Sequence, residues 1–269
     1  MKRLVLVPTP IGNLDDITLR ALEVLRQAEV VACEDTRRSA KLLRHYGIHT
    51  PLVRLDQHTM NRAGKLLDEH DLVAYVSDAG TPGISDPGAE LVNLARERGF
   101  AVEVLPGPTA LIPALVASGF PSARFAFEGF LPAGGKNRRL RLEALQNESR
   151  TAVLYESPHH LQKTLTDLVG VYGGEHPVAL ARELSKKHEE IWRGTLAEAL
   201  EHFSEPRGEF VIVLAPRLQA GKAGKPNAAA LSAQLREEGL SGRRLAEALE
   251  QAGLSRNEAR RWAYRKEEE

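Results

Sequence analysis

The chain has 269 residues with 36 Lys or Arg against 36 Asp or Glu, which excludes a global positive field for nucleic acid but allows a local RNA-binding patch. Its single cysteine, Cys33, excludes an internal disulfide and a zinc site built from cysteines. Because no apolar run has the length of a membrane span or a signal peptide, we expect a cytoplasmic protein with neither membrane nor DNA as a partner.

Short apolar runs alternate with helical patterns in the first part of the chain. The runs at 4–7, 30–33, 52–55, 72–76 and 102–105 predict strands, and the one at 72–76 predicts a buried strand. Helical spacing lies at 16–25, around 40–43, at 89–98 and from 110 to about 118. This alternation predicts an α/β domain with a mainly parallel sheet, which we place at residues 1–118.

A second α/β domain is predicted at 119–217, after a hinge-like Gly-Phe-Pro-Ser segment. Its strands are expected at 124–131, 151–155, 177–181 and 208–215, and its helices at 165–169 and 196–203. Residues 218–227 have the composition of a linker. Beyond it, three short helical patterns at 228–238, 242–251 and 256–266 predict a small domain at 228–269 that resembles a helix-turn-helix bundle.

The loop at 77–88 is the most informative local feature. It follows a predicted strand and precedes a predicted helix, at the sheet edge where α/β proteins bind ligands. Its glycines permit close backbone approach, and Asp78 and Asp86 offer carboxylates to a polar ligand. Three more loops, at 9–13, 34–37 and 106–110, follow other predicted strands. If the strands are parallel, all four loops lie at one edge and form one cleft.

Several familiar signatures are missing from the sequence. It has no complete G-x-G-x-x-G dinucleotide motif, no Walker lysine and no G-x-S-x-G elbow. The histidines lack metal-ligand spacing, so we expect no metal site. Charges of both signs at 34–38 and 182–187 have two interpretations, salt bridges across the domain interface or binding of a charged substrate. In the second, a carboxylate or lysine helps to deprotonate a hydroxyl.

Two further clusters favour structural roles. The basic run at 136–141 is typical of a solvated helix face, although beside a cleft it could follow phosphates. Phe125, Phe127 and Phe130 are expected in the core rather than in base stacking.

Seven short segments together match one family. They lie at 9–14, 34–37, 77–88, 106–108, 129–132, 155–159 and 182–186. On them the chain resembles the tetrapyrrole-methylase (class III) methyltransferases, and among these the bacterial 16S rRNA (cytidine) 2'-O-methyltransferases. The resemblance implies two α/β domains, the first sheet mainly parallel and the second mixed, plus a small helical segment. It also implies S-adenosylmethionine in the cleft between the domains, and a homodimer.

The activity implied by the resemblance is methyl transfer to the ribose 2'-hydroxyl of a cytidine in the decoding region of 16S rRNA, as naked RNA or in the 30S subunit. Candidates for the base that accepts the hydroxyl proton are Asp78, Asp86, Glu34 and Lys186, with a slight preference for Asp78. The residues implied at the methyl donor are Ile11, Gly12, Gly80, Thr81, Gly83, Ile84, Thr109, Ala110, Leu131 and Leu184.

Two other functions stay open at this point. A methyltransferase of the same fold could act on a tetrapyrrole, and a non-catalytic ribosome- or RNA-binding protein could use the helical tail. The charged runs at 34–37 and 182–186 and the tail favour RNA over a tetrapyrrole.

Overall fold

The computed structural model describes residues 2–86, 88–217, 228–237, 240–252 and 254–264. The chain forms two compact units, Met1–Pro216 and Arg217–Glu269. The predicted linker at 218–227 lies outside the described residues. In the described part of the chain, every helix is too short or too polar to cross a membrane.

The first sheet contains five parallel strands, as predicted. They are β1 (Arg3–Leu6), β2 (Val30–Cys33), β3 (Leu52–Arg54), β4 (Leu72–Val76) and β5 (Ala101–Val104), in the order β3-β2-β4-β1-β5. Around them lie α1 (Leu19–Gln27), α2 (Thr36–His45), α3 (Ala63–Glu69) and α4 (Gly88–Glu97). The next helix, α5 (Leu111–Ser118), packs against the second sheet instead, through Ala114 and Leu115. Leu4 and Leu6 pack into one core and Val5 and Val7 into another, so both sheet faces are covered.

The second sheet is mixed, which confirms the fold class. Its strands are β6 (Phe125–Phe130), β7 (Thr151–Glu156), β8 (Pro177–Arg182), β9 (Glu190–Thr195) and β10 (Phe210–Leu214), in the order β6-β7-β10-β8-β9. Only β6 and β7 pair in parallel. Its helices are α6 (Gly135–Gln146), α7 (Pro158–Tyr172) and α8 (Leu196–His202). The sequence did not predict β9, because this edge strand is only partly buried and lacks an apolar run.

The basic segment at the start of α6 has a structural role at its centre. Arg138, only 5% exposed, donates from Nε to Asp167 (2.7 Å) and from Nη2 to Thr164 Oγ1 (3.0 Å). Thr164 Oγ1 in turn donates to Glu156 Oε2 at 2.6 Å, at the end of β7. The other basic residues of this run, Lys136, Arg139 and Arg141, are exposed, which confirms the expected solvated face for them. The expectation is wrong for Arg138, which connects α6 to the second sheet.

The second unit contains the predicted helices, α9 (Ala228–Glu237), α10 (Gly242–Gln251) and α11 (Arg256–Ala263). Leu245, Leu249 and Leu254 are buried in a core of their own. Ser255 and Glu258 form a capping box at the start of α11, which satisfies two of its free amides.

Candidate functional site

The loops that follow β1, β4 and β5 are joined into one wall. Thr9 N donates to the Gly80 carbonyl and Gly80 N donates to the Thr9 carbonyl, each at 2.9 Å. Thr81 Oγ1 donates to the Pro108 carbonyl at 3.0 Å. Parallel strands bring these loops to one edge, and the hydrogen bonds fix them there.

A cleft of about 440 Å³ lies between this wall and the edge of the second sheet where β7 and β8 end and β10 begins. Ligand sites commonly have volumes of about 300–1,000 Å³. Both walls belong to the first compact unit, and we call the part up to residue 118 its first half and the part from 119 to 216 its second half. The first half contributes Ile11, Glu34, Arg38, Ser77, Asp78, Ala79, Gly80, Thr81, Ile84, Ser85, Asp86, Thr109 and Ala110. The second half contributes Phe130, Tyr155, Glu156, Ser157, Ala181, Leu184, Lys186, Glu209, Phe210 and Val211.

Three of the residues expected at the methyl donor do not line this cleft. Leu131 is buried in the core of the second sheet, so its side chain does not face a ligand there. Gly83 donates its N–H to Asp86 Oδ1 at 2.7 Å, as part of the internal bonding of the 77–88 loop. Gly12 lines a neighbouring groove instead.

Gly12 is needed for packing between the two halves. A Cβ added to it would lie 2.3 Å from Lys186 Cγ and 2.9 Å from the Leu184 carbonyl oxygen. We expect Gly12→Ala to lower the free energy of unfolding by about 1–3 kcal/mol through overpacking. Urea unfolding measures this change.

Gly170 offers a matched control for that substitution. It is exposed in α7, and an added Cβ would meet no atom within 4 Å. Gly170→Ala should stabilise the protein by up to ~1 kcal/mol, because alanine favours a helix over glycine. Equal effects of the two substitutions would contradict close packing at Gly12.

The chain matches the family model of the Tetrapyrrole (Corrin/Porphyrin) Methylases over residues 3–200. It belongs to the tetrapyrrole methylase family. Within the family it is 50% identical over 220 residues to Ribosomal RNA small subunit methyltransferase I of Pseudomonas aeruginosa, covering 79% of this chain and 78% of that protein. It is 46% identical over 220 residues to the protein of the same name from Thermotoga maritima, covering 80% and 98%.

A solved structure shares the tetrapyrrole methylase fold with this chain. Uroporphyrin-III C-methyl transferase from Thermus thermophilus, complexed with S-adenyl homocysteine, superposes with a TM-score of 0.59 at 24% identity. The match covers 79% of this chain and 97% of that one. The likeness therefore extends over both sheets of the methylase fold.

The carboxylates of the methylase cleft have different surroundings. Asp86 Oδ1 accepts hydrogen bonds from the N–H groups of Gly83 (2.7 Å) and Gly88 (2.8 Å), so this carboxylate holds its own loop. Asp78 Oδ2 lies 3.4 Å from Arg38 Nη1, while its Oδ1 is buried without a hydrogen-bond partner. Burial, and then the nearby Asp86 and Asp78 carboxylates, raise the pKa of Glu34.

Lys186 is held as a cation in the same cleft. Its Nζ donates to Glu183 Oε1 at 2.7 Å and to Glu209 Oε2 at 2.9 Å. Burial lowers the pKa of Lys186, but these two hydrogen bonds outweigh burial and raise the pKa overall. A lysine paired in this way is a poor proton acceptor.

The charged runs at 34–38 and 182–187 form ion pairs within their own halves. Arg37 binds Asp35 at 2.8 Å, and Arg182 binds Glu190 at 3.0 Å. Among the described residues, none of these runs' ion pairs joins the two halves, so the interpretation as interface salt bridges is wrong.

Backbone strain concentrates around the methylase cleft. Ser85, Glu183 and Ser185 have left-handed φ angles of 66°, 51° and 63°, which non-glycine residues rarely adopt. They are the described non-glycine residues with this conformation, and they lie on two loops that contribute to the cleft lining. Strain of this kind is typical of functional sites.

The cleft lining includes four residues that were not expected there from the sequence: Phe130, Tyr155, Glu156 and Ser157. The last three lie at the end of β7, and their position at the end of a predicted strand is the signal that could have identified them. The sequence does not predict that Phe130 lines the cleft, because its position depends on an irregularity in the pairing of β6 with β7.

Proposed function

We propose that this chain is an S-adenosylmethionine-dependent methyltransferase that modifies the ribose 2'-hydroxyl of a cytidine in the decoding region of 16S rRNA. The observation that carries the proposal is the high identity to two proteins named as small-subunit rRNA methyltransferases, over about four-fifths of this chain. The methylated position, the 2'-oxygen of a cytidine, is inferred from the family resemblance. We further propose that it acts in the cytoplasm on the 30S subunit, as a homodimer.

The cleft has properties that fit S-adenosylmethionine. Gly80 has a left-handed φ of 79°, and its missing side chain leaves room beside Ile11 and Thr109. The unpartnered Asp78 Oδ1 is a polar atom that a bound ligand would satisfy. In this proposal the residues that hold the donor are Ile11, Gly80, Thr81, Ile84, Thr109, Ala110 and Leu184.

When bound, S-adenosylmethionine would supply a methyl group attached to a sulfonium sulfur. The sulfonium leaves readily, as a neutral thioether. The protein then contributes mainly alignment and a proton acceptor for the ribose hydroxyl. Glu34 is the best candidate for that acceptor. Its raised pKa makes it a stronger base than an ordinary carboxylate. Asp78 is paired with Arg38, Asp86 holds its loop, and Lys186 is protonated.

In this mechanism Glu34 accepts the proton of the 2'-hydroxyl on a carboxylate oxygen. Its half-buried position at the end of β2 keeps bulk water partly away from that oxygen. Lys186 stays charged and keeps the 183–186 loop in place through Glu183 and Glu209.

A labelled-donor assay tests the proposed function. The protein is incubated with methyl-labelled S-adenosylmethionine and 16S rRNA lacking the modification, either naked or in 30S subunits. Label in an alkali-resistant dinucleotide that begins with cytidine is the expected result, because a 2'-O-methyl blocks cleavage there. Uroporphyrinogen III is the control acceptor.

Transfer to uroporphyrinogen with unlabelled rRNA would overturn the RNA assignment. Failure to bind S-adenosylmethionine in calorimetry would instead favour the non-catalytic RNA-binding alternative.

A further inference from the structure

Strand β6 contains an irregularity next to the cleft. Phe127 pairs with Val153 of β7, but the next two pairs are Gly129 with Leu154 and Phe130 with Tyr155. Glu128 is therefore an extra residue, and Gly129 has a left-handed φ of 62°. Both features are typical of a β-bulge, which commonly redirects a side chain near an active site.

The bulge decides which face of the sheet Phe130 occupies. In a regular strand Phe127 and Phe130 would lie on opposite faces, because side chains alternate. With one extra residue they lie on the same face, where the Tyr155 ring contacts both. The ring centroids are 5.0 Å apart for Phe127 and 5.6 Å apart for Phe130, both edge-to-face.

The two phenylalanines differ in exposure. Phe127 is partly buried and packs against the core beside α5. Phe130 lines the cleft and is 55% exposed, so the expectation that it belongs to the core is wrong. Tyr155 braces its ring from one side, and β6 is an edge strand that leaves the other side without a neighbouring strand.

We infer that Phe130, braced by Tyr155, is the stacking surface for the base of the nucleotide being methylated. This inference rests on the proposed function, since it requires an RNA acceptor. A single-stranded base withdrawn from its helix is commonly bound by stacking on an aromatic ring. A braced aromatic ring at the mouth of a cleft that also contains Glu34 fits that task.

A second observation points to a ligand on the same wall. Ser157 lines the cleft two residues after Tyr155, and its buried Oγ has no hydrogen-bond partner. Native structures rarely leave such an atom unsatisfied. A stacked base offers hydrogen-bonding edges that satisfy it. In this proposal Phe130 provides affinity and Ser157 a polar contact to the base.

Phe130→Ala and Phe130→Trp test the inference, with Leu140→Ala as the control. Leu140 is 48% exposed on α6 and does not line the cleft. Stacking on an aromatic ring contributes a factor of about 5 to 150 per base. Phe130→Ala should therefore raise the KM for 16S rRNA by about that factor and leave the Kd for S-adenosylmethionine unchanged. Phe130→Trp should keep the KM near wild type.

Binding of a short single-stranded oligocytidylate provides a readout that does not require methyl transfer. It should weaken by a similar factor in Phe130→Ala and stay unchanged in Leu140→Ala. A loss of donor affinity without a change in RNA affinity would overturn the inference, since the ring would then stack the donor's adenine. Unchanged RNA affinity in all variants would also overturn it. Absence of rRNA methylation by the wild type, with these binding differences intact, would contradict the proposed function and not the stacking surface.

Discussion

Gly80→Val should weaken S-adenosylmethionine binding by about 100-fold while the sheets remain folded. The Cβ of valine would be in ordinary van der Waals contact with Ile11 Cγ2, at 3.5 Å, so its two further methyl groups would occupy space that the donor needs in the cleft. Filling a packed site costs about 1–3 kcal/mol, and 100-fold in affinity corresponds to about 2.7 kcal/mol. Calorimetric titration with the donor measures the affinity, and circular dichroism checks the fold.

Gly99→Val separates the blocked cleft from backbone strain. Gly99 has a φ of 77°, close to the 79° of Gly80, and its missing Cβ would meet no atom within 4 Å. It lies between α4 and β5, outside the cleft lining. The two variants should lose similar stability, but Gly99→Val should bind the donor normally. Normal donor affinity in Gly80→Val would show that the donor site is elsewhere.

Glu34→Gln should lower kcat by about 10²- to 10⁴-fold, the usual contribution of a positioned base. The Kd for S-adenosylmethionine should change little, because the amide keeps the shape of the carboxyl group. Single-turnover methylation of 16S rRNA measures the effect. Asp78→Asn is the comparison, and a large loss there with normal turnover in Glu34→Gln would move the role of base to Asp78.

The raised pKa of Glu34 predicts two pH effects of defined sign. The base acts only when ionised, so the acidic limb of the kcat/KM profile, which reports the free enzyme, should lie above the usual range of a glutamate and disappear in Glu34→Gln. The folded protein holds the Glu34 proton more tightly than the unfolded chain, so this group lowers stability as pH rises through the two pKa values. Glu34→Gln should therefore have a higher Tm than wild type at neutral pH. A lower Tm would indicate a structural role.

The parts of the fold that sequence predicts best are the buried strands of the first sheet. Runs such as 72–76 are continuous and apolar because both faces of a parallel strand are covered. The edge strand β9 escapes prediction for the opposite reason, since its residues are mostly half-exposed. Helix α7 extends over Pro158–Tyr172, whereas only its inner part, 165–169, was predicted.

In the candidate site, the positions of the loops could be predicted from the sequence, but the partners of individual side chains could not. The loop positions follow from sheet topology, and the 77–88 loop indicates its site by composition alone. The partners of Asp86 and Lys186 cannot be read from sequence, because they depend on distances between loops far apart in the chain. The exposure of Phe130 depends on one extra residue in β6, and a strand pattern read at period two places that ring on the wrong face.

The paired hydrogen bonds between Thr9 and Gly80 have a consequence for the exchange of loops among related methyltransferases. Each residue satisfies both backbone groups of the other, so the 77–88 loop is complete only with the matching loop after β1. If the 77–88 loop alone were transplanted into another member of the family, the amide and carbonyl of Gly80 would have to pair with the backbone of that protein's own loop after β1. The two loops are best inherited, or engineered, as one module.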